Sequence, residues 1–251
     1  MSRRKTRRLL TAIALLLSPT AFAAPRIALI IDDLGYRYDA GRRAIELPGP
    51  VACAILPATP RGRELAALAA DSGKEVLLHL PLQAVNPASN GDPGGLHLDM
   101  SRQQFARAFG TSLADVPQAT GVNNHRGSLL TRHPGHMGWL MEELSARGEL
   151  FFVDSYTTRH SVALELAREA GVPALRRDVF LDNERDPEAI ARAFERLKRR
   201  ARARGYAIGI GHPHAETLEF LEQALPALAA EGIELVPLGR LFAPPAAAAD
   251  D

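Results

Sequence analysis

Short apolar runs recur along the chain at 27–31, 51–56, 76–78, 121–122, 150–153, 206–210 and 233–236, with a weaker one at 174–175. Each is rich in Ile, Leu, Val or Ala on both alternating faces, as a strand buried in a parallel sheet requires. Between them lie helical patterns at 61–71, 101–112, 134–147, 161–170, 187–204 and 215–230. Ser101 followed by Gln104 forms a capping box. Gly73, Gly148, Gly171, Gly205 and Gly232 close helical stretches, as left-handed C-terminal positions favour. Seven or eight β/α units in about 215 residues make an α/β protein, either a (β/α) barrel or a doubly wound sheet. The first βα turn reads Asp32-Asp33-Leu34-Gly35-Tyr36, not a glycine-rich phosphate loop, which argues against a dinucleotide site.

The ends of the chain have a different character. Arg3, Arg4, Lys5, Arg7 and Arg8 precede an apolar run at 9–17, and Ala21-Phe22-Ala23 follows with small residues at the cleavage positions. This predicts a signal peptide over 1–23 and a periplasmic or secreted mature chain without a membrane span. Removing that leader leaves 25 basic against 29 acidic residues, a net charge of −4. With aromatics at only 6%, a nucleic-acid partner is not expected. The basic run Lys198, Arg199, Arg200, Arg202 and Arg204 reads as a solvated helix face. Residues 24–243 read as one domain and 244–251 as a disordered tail.

In parallel α/β folds, functional side chains gather at the C-terminal ends of the strands. Here those ends carry Asp32-Asp33, His79, Asn123-Asn124-His125, Asp154 and His212, with His214 beyond. Taken singly, each has an ordinary role: Asp caps helices, Asn shapes turns, His packs in cores. Together they supply a donor set of Asp and His suited to a divalent metal with open positions. A single cysteine excludes a disulfide framework and a cysteine-based zinc site. The segment 81–99 lacks periodicity and reads as a long loop of functional type.

Five segments carry a resemblance. They are Ile30-Ile31-Asp32-Asp33-Leu34-Gly35, Leu77-Leu78-His79-Leu80-Pro81-Leu82, Gly121-Val122-Asn123-Asn124-His125-Arg126-Gly127-Ser128, Phe152-Val153-Asp154-Ser155 and Ile208-Gly209-Ile210-Gly211-His212-Pro213. In this order they resemble the divergent polysaccharide deacetylases of the NodB-like carbohydrate esterase group, over roughly 26–240. The resemblance implies a distorted (β/α) barrel of seven or eight mostly parallel strands. It implies a divalent metal, zinc by expectation, and removal of N- or O-acetyl groups from a glycan. Asp32 then takes the general-base position, and Asp33, His79 and His125 the metal positions. His212 takes the general-acid position, with Asp154 the carboxylate that orients it. Where the usual deacetylase has a second histidine four residues on, this chain has Gln83.

On this reading Asn123, Asn124, Gln83 and His214 are candidates for substrate contact. An exported enzyme so equipped meets peptidoglycan or another acetylated envelope glycan, with an envelope protein partner also conceivable. The alternative is a catalytically inactive, metal-bearing glycan-binding or regulatory envelope protein, which the loss of a histidine at Gln83 motivates.

Overall fold

A computed structural model describes residues 24–242 of the 251-residue chain. The signal-peptide expectation for 1–23 and the tail expectation for 244–251 lie outside the described residues.

Among the described residues, nine strands and seven α-helices follow one another: β1 (Arg26–Leu34), α1 (Tyr38–Ile45), β2 (Ala52–Ile55), α2 (Gly62–Asp71), β3 (Val76–Leu82), α3 (Arg102–Asp115), β4 (Gly121–Arg126), α4 (Pro134–Ser145), β5 (Phe151–Asp154), α5 (Ala163–Glu169), β6 (Ala174–Arg176), β7 (Val179–Phe180), α6 (Pro187–Arg204), β8 (Tyr206–Gly211), α7 (Ala215–Ala224) and β9 (Glu234–Leu235). All named pairings are parallel, in the order β6-β5-β4-β3-β2-β1-β8-β7, with β9 against the start of β1. The end strands β6 and β7 are not paired, so the (β/α) barrel is open along one seam.

Side chains alternate between the two faces of each strand. Ile27, Leu29 and Ile31 of β1 pack outward in the helix-facing core, while Ala28 and Ile30 face the inner cluster. The inner cluster also takes Ala52, Ala54, Leu77, Phe151, Val153, Ile208 and Ile210. Small residues at β1 and β2 suit the narrow interior, as does Gly121, where an added Cβ would come within 2.4 Å of Phe151.

The helices begin where their sequences allow. Ser101 and Gln104 cap α3 reciprocally, and Asp186 accepts from the Ala189 amide at the start of α6, with Pro187 in its first turn. One expectation needs correction, and two elements were not expected. Helix 215–230 ends as an α-helix at Ala224, because Pro226 forces 3-10 turns. Helix α1 and the two-residue strand β7 have no apolar run to announce them.

Candidate functional site

The inner face of each strand leads to the site. Continuing the alternation past Ala28 and Ile30 brings Asp32 inward; past Leu77, His79; past Gly121, Asn123 and then His125; past Ile208 and Ile210, His212. A regular strand would then turn Asp33 away from Asp32. The β1–β2 register shifts between Ile31 and Leu34, and Asp33 has φ +59°, so this irregularity brings both carboxylates to one rim.

Three donor atoms meet there. Asp33 Oδ1 lies 2.9 Å from His125 Nδ1 and 3.1 Å from His79 Nε2, and the two nitrogens are 3.2 Å apart. His79 Nδ1 is paired with Asn123 Oδ1 at 2.9 Å, while Asn123 Nδ2 donates to Asp32 Oδ1 at 2.7 Å. The amide orientation makes Nδ1 the protonated nitrogen of His79 and leaves the Nε2 lone pair facing the other two donors. Asp33 Oδ1 is buried and makes no hydrogen bond of good geometry. Three donor atoms this close repel one another unless protons on the nitrogens or a bound cation stands between them, and a cation serves all three at once. A tetrahedral site with bonds of 2.0–2.1 Å has donor–donor edges of about 3.3 Å, close to the spacing here. The residues therefore fit a divalent ion. Among the described residues, Asp182, His212 and His214 form a second group of donors within reach of one another.

Charge is organised around this point. Burial pushes the Asp32 carboxyl up, against the pull of His79 and His212. Burial also opposes ionisation of Asp33, but His125 and His79 beside it hold its carboxyl below the usual carboxylate range. The His212 Nε2 atom stands 4.0 Å from Asp33 Oδ2. Burial disfavours its charged form, but Asp182 outweighs that and, with Asp32 and Asp33, raises it to about 9.

One expected role passes to another residue, and the candidate substrate contacts have structural partners of their own. Asp154 does not orient His212. It shares the outward face of β5 with Phe152, and its oxygens accept from the Tyr156 amide and the Ser161 hydroxyl at 2.8 Å each. The orienting carboxylate is Asp182, just past β7, whose Oδ1 is 2.8 Å from His212 Nδ1. Asn123 is wholly buried and spends both ends of its amide on His79 and Asp32, which makes it a positioning residue. Asn124, also buried, ties the Ser155 amide to the Arg126 carbonyl. Gln83 accepts from the Leu98 amide and so fastens the 81–99 loop. His214 stays at the rim, its ring 5.7 Å from that of His212.

Sequence reasoning also missed Arg177, which donates to the Ser155 and Tyr156 carbonyls at 2.7 and 2.9 Å and stacks on Phe180. The alternation rule at β7, with Phe180 inward and Asp182 two residues on, would have found Asp182 had so short a strand been visible.

The sequence profile of the divergent polysaccharide deacetylases matches residues 29–242. The chain belongs to that family. A Haemophilus influenzae protein described as uncharacterized is 38% identical over 222 residues, covering 88% of this chain and 78% of that one. YibQ of Escherichia coli K12, likewise described as uncharacterized, is 36% identical, covering 86% and 67%. Among solved structures, an uncharacterized protein from Agrobacterium tumefaciens C58 superposes with a TM-score of 0.84 at 25% identity, covering 88% of this chain and 91% of that one. The catalytic domain of a peptidoglycan N-acetylglucosamine deacetylase from Eubacterium rectale superposes with a TM-score of 0.54 at 15% identity, covering 90% and 96%. A CE4 family pseudoenzyme mutant with restored enzymatic activity gives 0.54 at 14%, covering 88% and 68%. These last two share the fold of this chain, a NodB-like (β/α) barrel. Among the described residues no helix is long and apolar enough to cross a membrane.

Proposed function

We propose that this divergent polysaccharide deacetylase is an exported, metal-dependent hydrolase that removes acetyl groups from an envelope polysaccharide such as peptidoglycan. The observation that carries the reading is a buried carboxylate and a carboxylate-paired histidine flanking one donor triad. Asp32 Oδ2 is 3.6 Å from His79 Nε2, and His212 Nε2 faces Asp33 Oδ2. Asp33, His79 and His125 would hold the ion, and zinc suits this mixed nitrogen–oxygen set. When bound, it supplies Lewis acidity toward the acetyl carbonyl and lowers the pKa of the attacking water.

The remaining work falls to the chain. Asp32 has Oδ1 fixed by Asn123, which leaves Oδ2 to take the proton of the attacking water. Asn123 keeps Asp32 and His79 in register, so base and donor triad move as one body. His212 holds its Nδ1 proton toward Asp182 and presents Nε2 to the departing nitrogen or oxygen, which it protonates. Asp182 also accepts from the His212 amide and the Thr217 hydroxyl, which fixes the imidazole's orientation.

A binding or regulatory role without turnover is the competing reading. The retained Asp32 and His212 weigh against it, because a binder needs neither base nor acid. The deciding experiment is deacetylation of acetylated chito-oligosaccharides and peptidoglycan fragments by zinc-loaded protein. Asp32→Asn should lower kcat by about 100-fold or more while leaving one metal equivalent bound. Wild-type protein that binds zinc but releases no acetate from either substrate would transfer the case to the binding reading.

A further inference from the structure

Five arginines line a recess of about 300 Å³ beside the open seam of the barrel. Arg168 comes from α5, Arg176 from β6, Arg177 from the β6–β7 link, and Arg200 and Arg204 from α6, with Asp178 the one acid among its lining residues. A recess of this size is at the lower end of those that hold small ligands. Arg200 and Arg204, four apart on one helix face, both reach Asp178 Oδ1, at 3.5 and 2.5 Å. Asp178 also accepts from the Ile208 amide, so it is fixed in the wall. The other half of the same basic run faces elsewhere: Lys198 and Arg202 bind Glu231. The run is therefore divided between a brace and this recess and is not a uniform solvated face.

Arginine keeps its charge at any ordinary pH. Asp178 in the wall and Asp154 behind Arg176 and Arg177 offset part of five guanidinium charges, and the net positive excess around one concavity is a Coulomb cost that a bound anion offsets. Guanidinium forks match carboxylate and phosphate oxygens two at a time. A hydrogen-bonded path leads from the recess to the candidate site. Arg177 holds the Ser155 carbonyl, Ser155 Oγ lies 3.4 Å from Asn123 Nδ2, and that amide holds Asp32.

We propose that the recess is a subsite for an anionic group, carboxylate or phosphate, carried on the glycan that is deacetylated at the donor triad; this rests on the deacetylase reading above. The enzyme then selects acidic over neutral polysaccharide.

The test is calorimetric binding to zinc-loaded protein of two glycan strands of equal length. One is an N-acetylglucosamine oligomer; the other alternates with N-acetylmuramic acid bearing free lactyl carboxylates. Inorganic phosphate is the third probe. The acidic strand should bind at least about tenfold tighter at low salt, the ratio expected of one well-formed charged contact. Arg168→Gln with Arg200→Gln should erase that advantage and leave the neutral strand unchanged. Arg204 stays in place as the closer brace to Asp178, and Arg168→Gln alone is the fallback should the pair unfold. Equal binding of the two strands, or an advantage that survives the substitutions, overturns the proposal. Phosphate binding without a preference for the acidic strand also overturns it, in favour of a free-anion site. Preference for the acidic strand without acetate release from either would sink the deacetylase reading and leave the acidic-glycan subsite standing.

Discussion

Asp182 shows how much of a proton-transfer site rests on one side chain. Its two oxygens accept from His212 Nδ1, the His212 amide and the Thr217 hydroxyl. Burial opposes its ionisation, but His212 and these hydrogen bonds hold its carboxyl below the ordinary value. In return the His212 imidazole titrates near 9, above its ordinary 6.5. The pair's contribution to stability is complete between the ordinary carboxylate value of 3.8 and pH 6.5; it is lost as pH rises through about 9, and again as pH falls through the lowered Asp182 value. A histidine that must donate a proton acts only below its folded pKa, so the alkaline limb of kcat should fall near pH 9. Asp182→Asn keeps a hydrogen-bond acceptor and removes the anion. The limb should then move down by more than one pH unit, read from the pH profile of acetate release. An unmoved limb would take Asp182 out of the mechanism.

At the scale of elements, strand alternation sorts what the sequence shows from what it hides. Most strands and helices were legible because their apolar runs and capping residues are local signals. The convergence of Asp32, Asp33, His79, His125 and His212 was legible too, since strand ends in a parallel sheet share one rim. Face was not legible, because the apolar runs are buried on both sides and carry no inside–outside contrast. Asp154 therefore looked equivalent to the true rim residues, and only the observed register puts it on the outer face of β5. Asp182 was hidden for the opposite reason, behind a strand of two residues.

The segment expected as a loop at 81–99 begins inside β3, whose last residues are Pro81 and Leu82, and its remainder gained a role that no periodicity could announce. It is tied back at the Pro81 and Leu96 carbonyls and by the Ser112 hydroxyl on the Gly94 carbonyl. This places Asp92 Oδ2 3.4 Å from His125 Nε2 and 2.6 Å from Arg126 Nη1. His125 Nε2 makes no hydrogen bond of good geometry, and Asp92 is the carboxylate that faces it, placed to orient the imidazole and raise its basicity on a slight closure. Asp92→Ala should weaken zinc binding by about 10- to 100-fold, measured by competition with a chromophoric chelator. Unchanged affinity would reduce the loop to a cover.

For the whole molecule, the donor triad joins parts of the barrel that the sequence keeps apart. Asp33, His79 and His125 belong to β1, β3 and β4, with β2 between the first two. An ion held by all three binds the folded chain and has no equivalent site in the unfolded one, so its binding free energy adds to stability. At a free zinc concentration of 100 times Kd the gain is about 2.7 kcal/mol. For a domain of this size that corresponds to a rise in Tm of about 5–10 °C over chelator-treated protein. His125→Ala removes one donor of three and should abolish most of that rise while changing the Tm of the metal-free protein far less, since His125 sits at the rim and its loss empties no apolar core. Differential scanning calorimetry of four samples, wild type and variant with and without zinc, reads the coupling directly. An equal zinc-dependent rise in both proteins would mean that the ion binds elsewhere, with Asp182, His212 and His214 the next group to test.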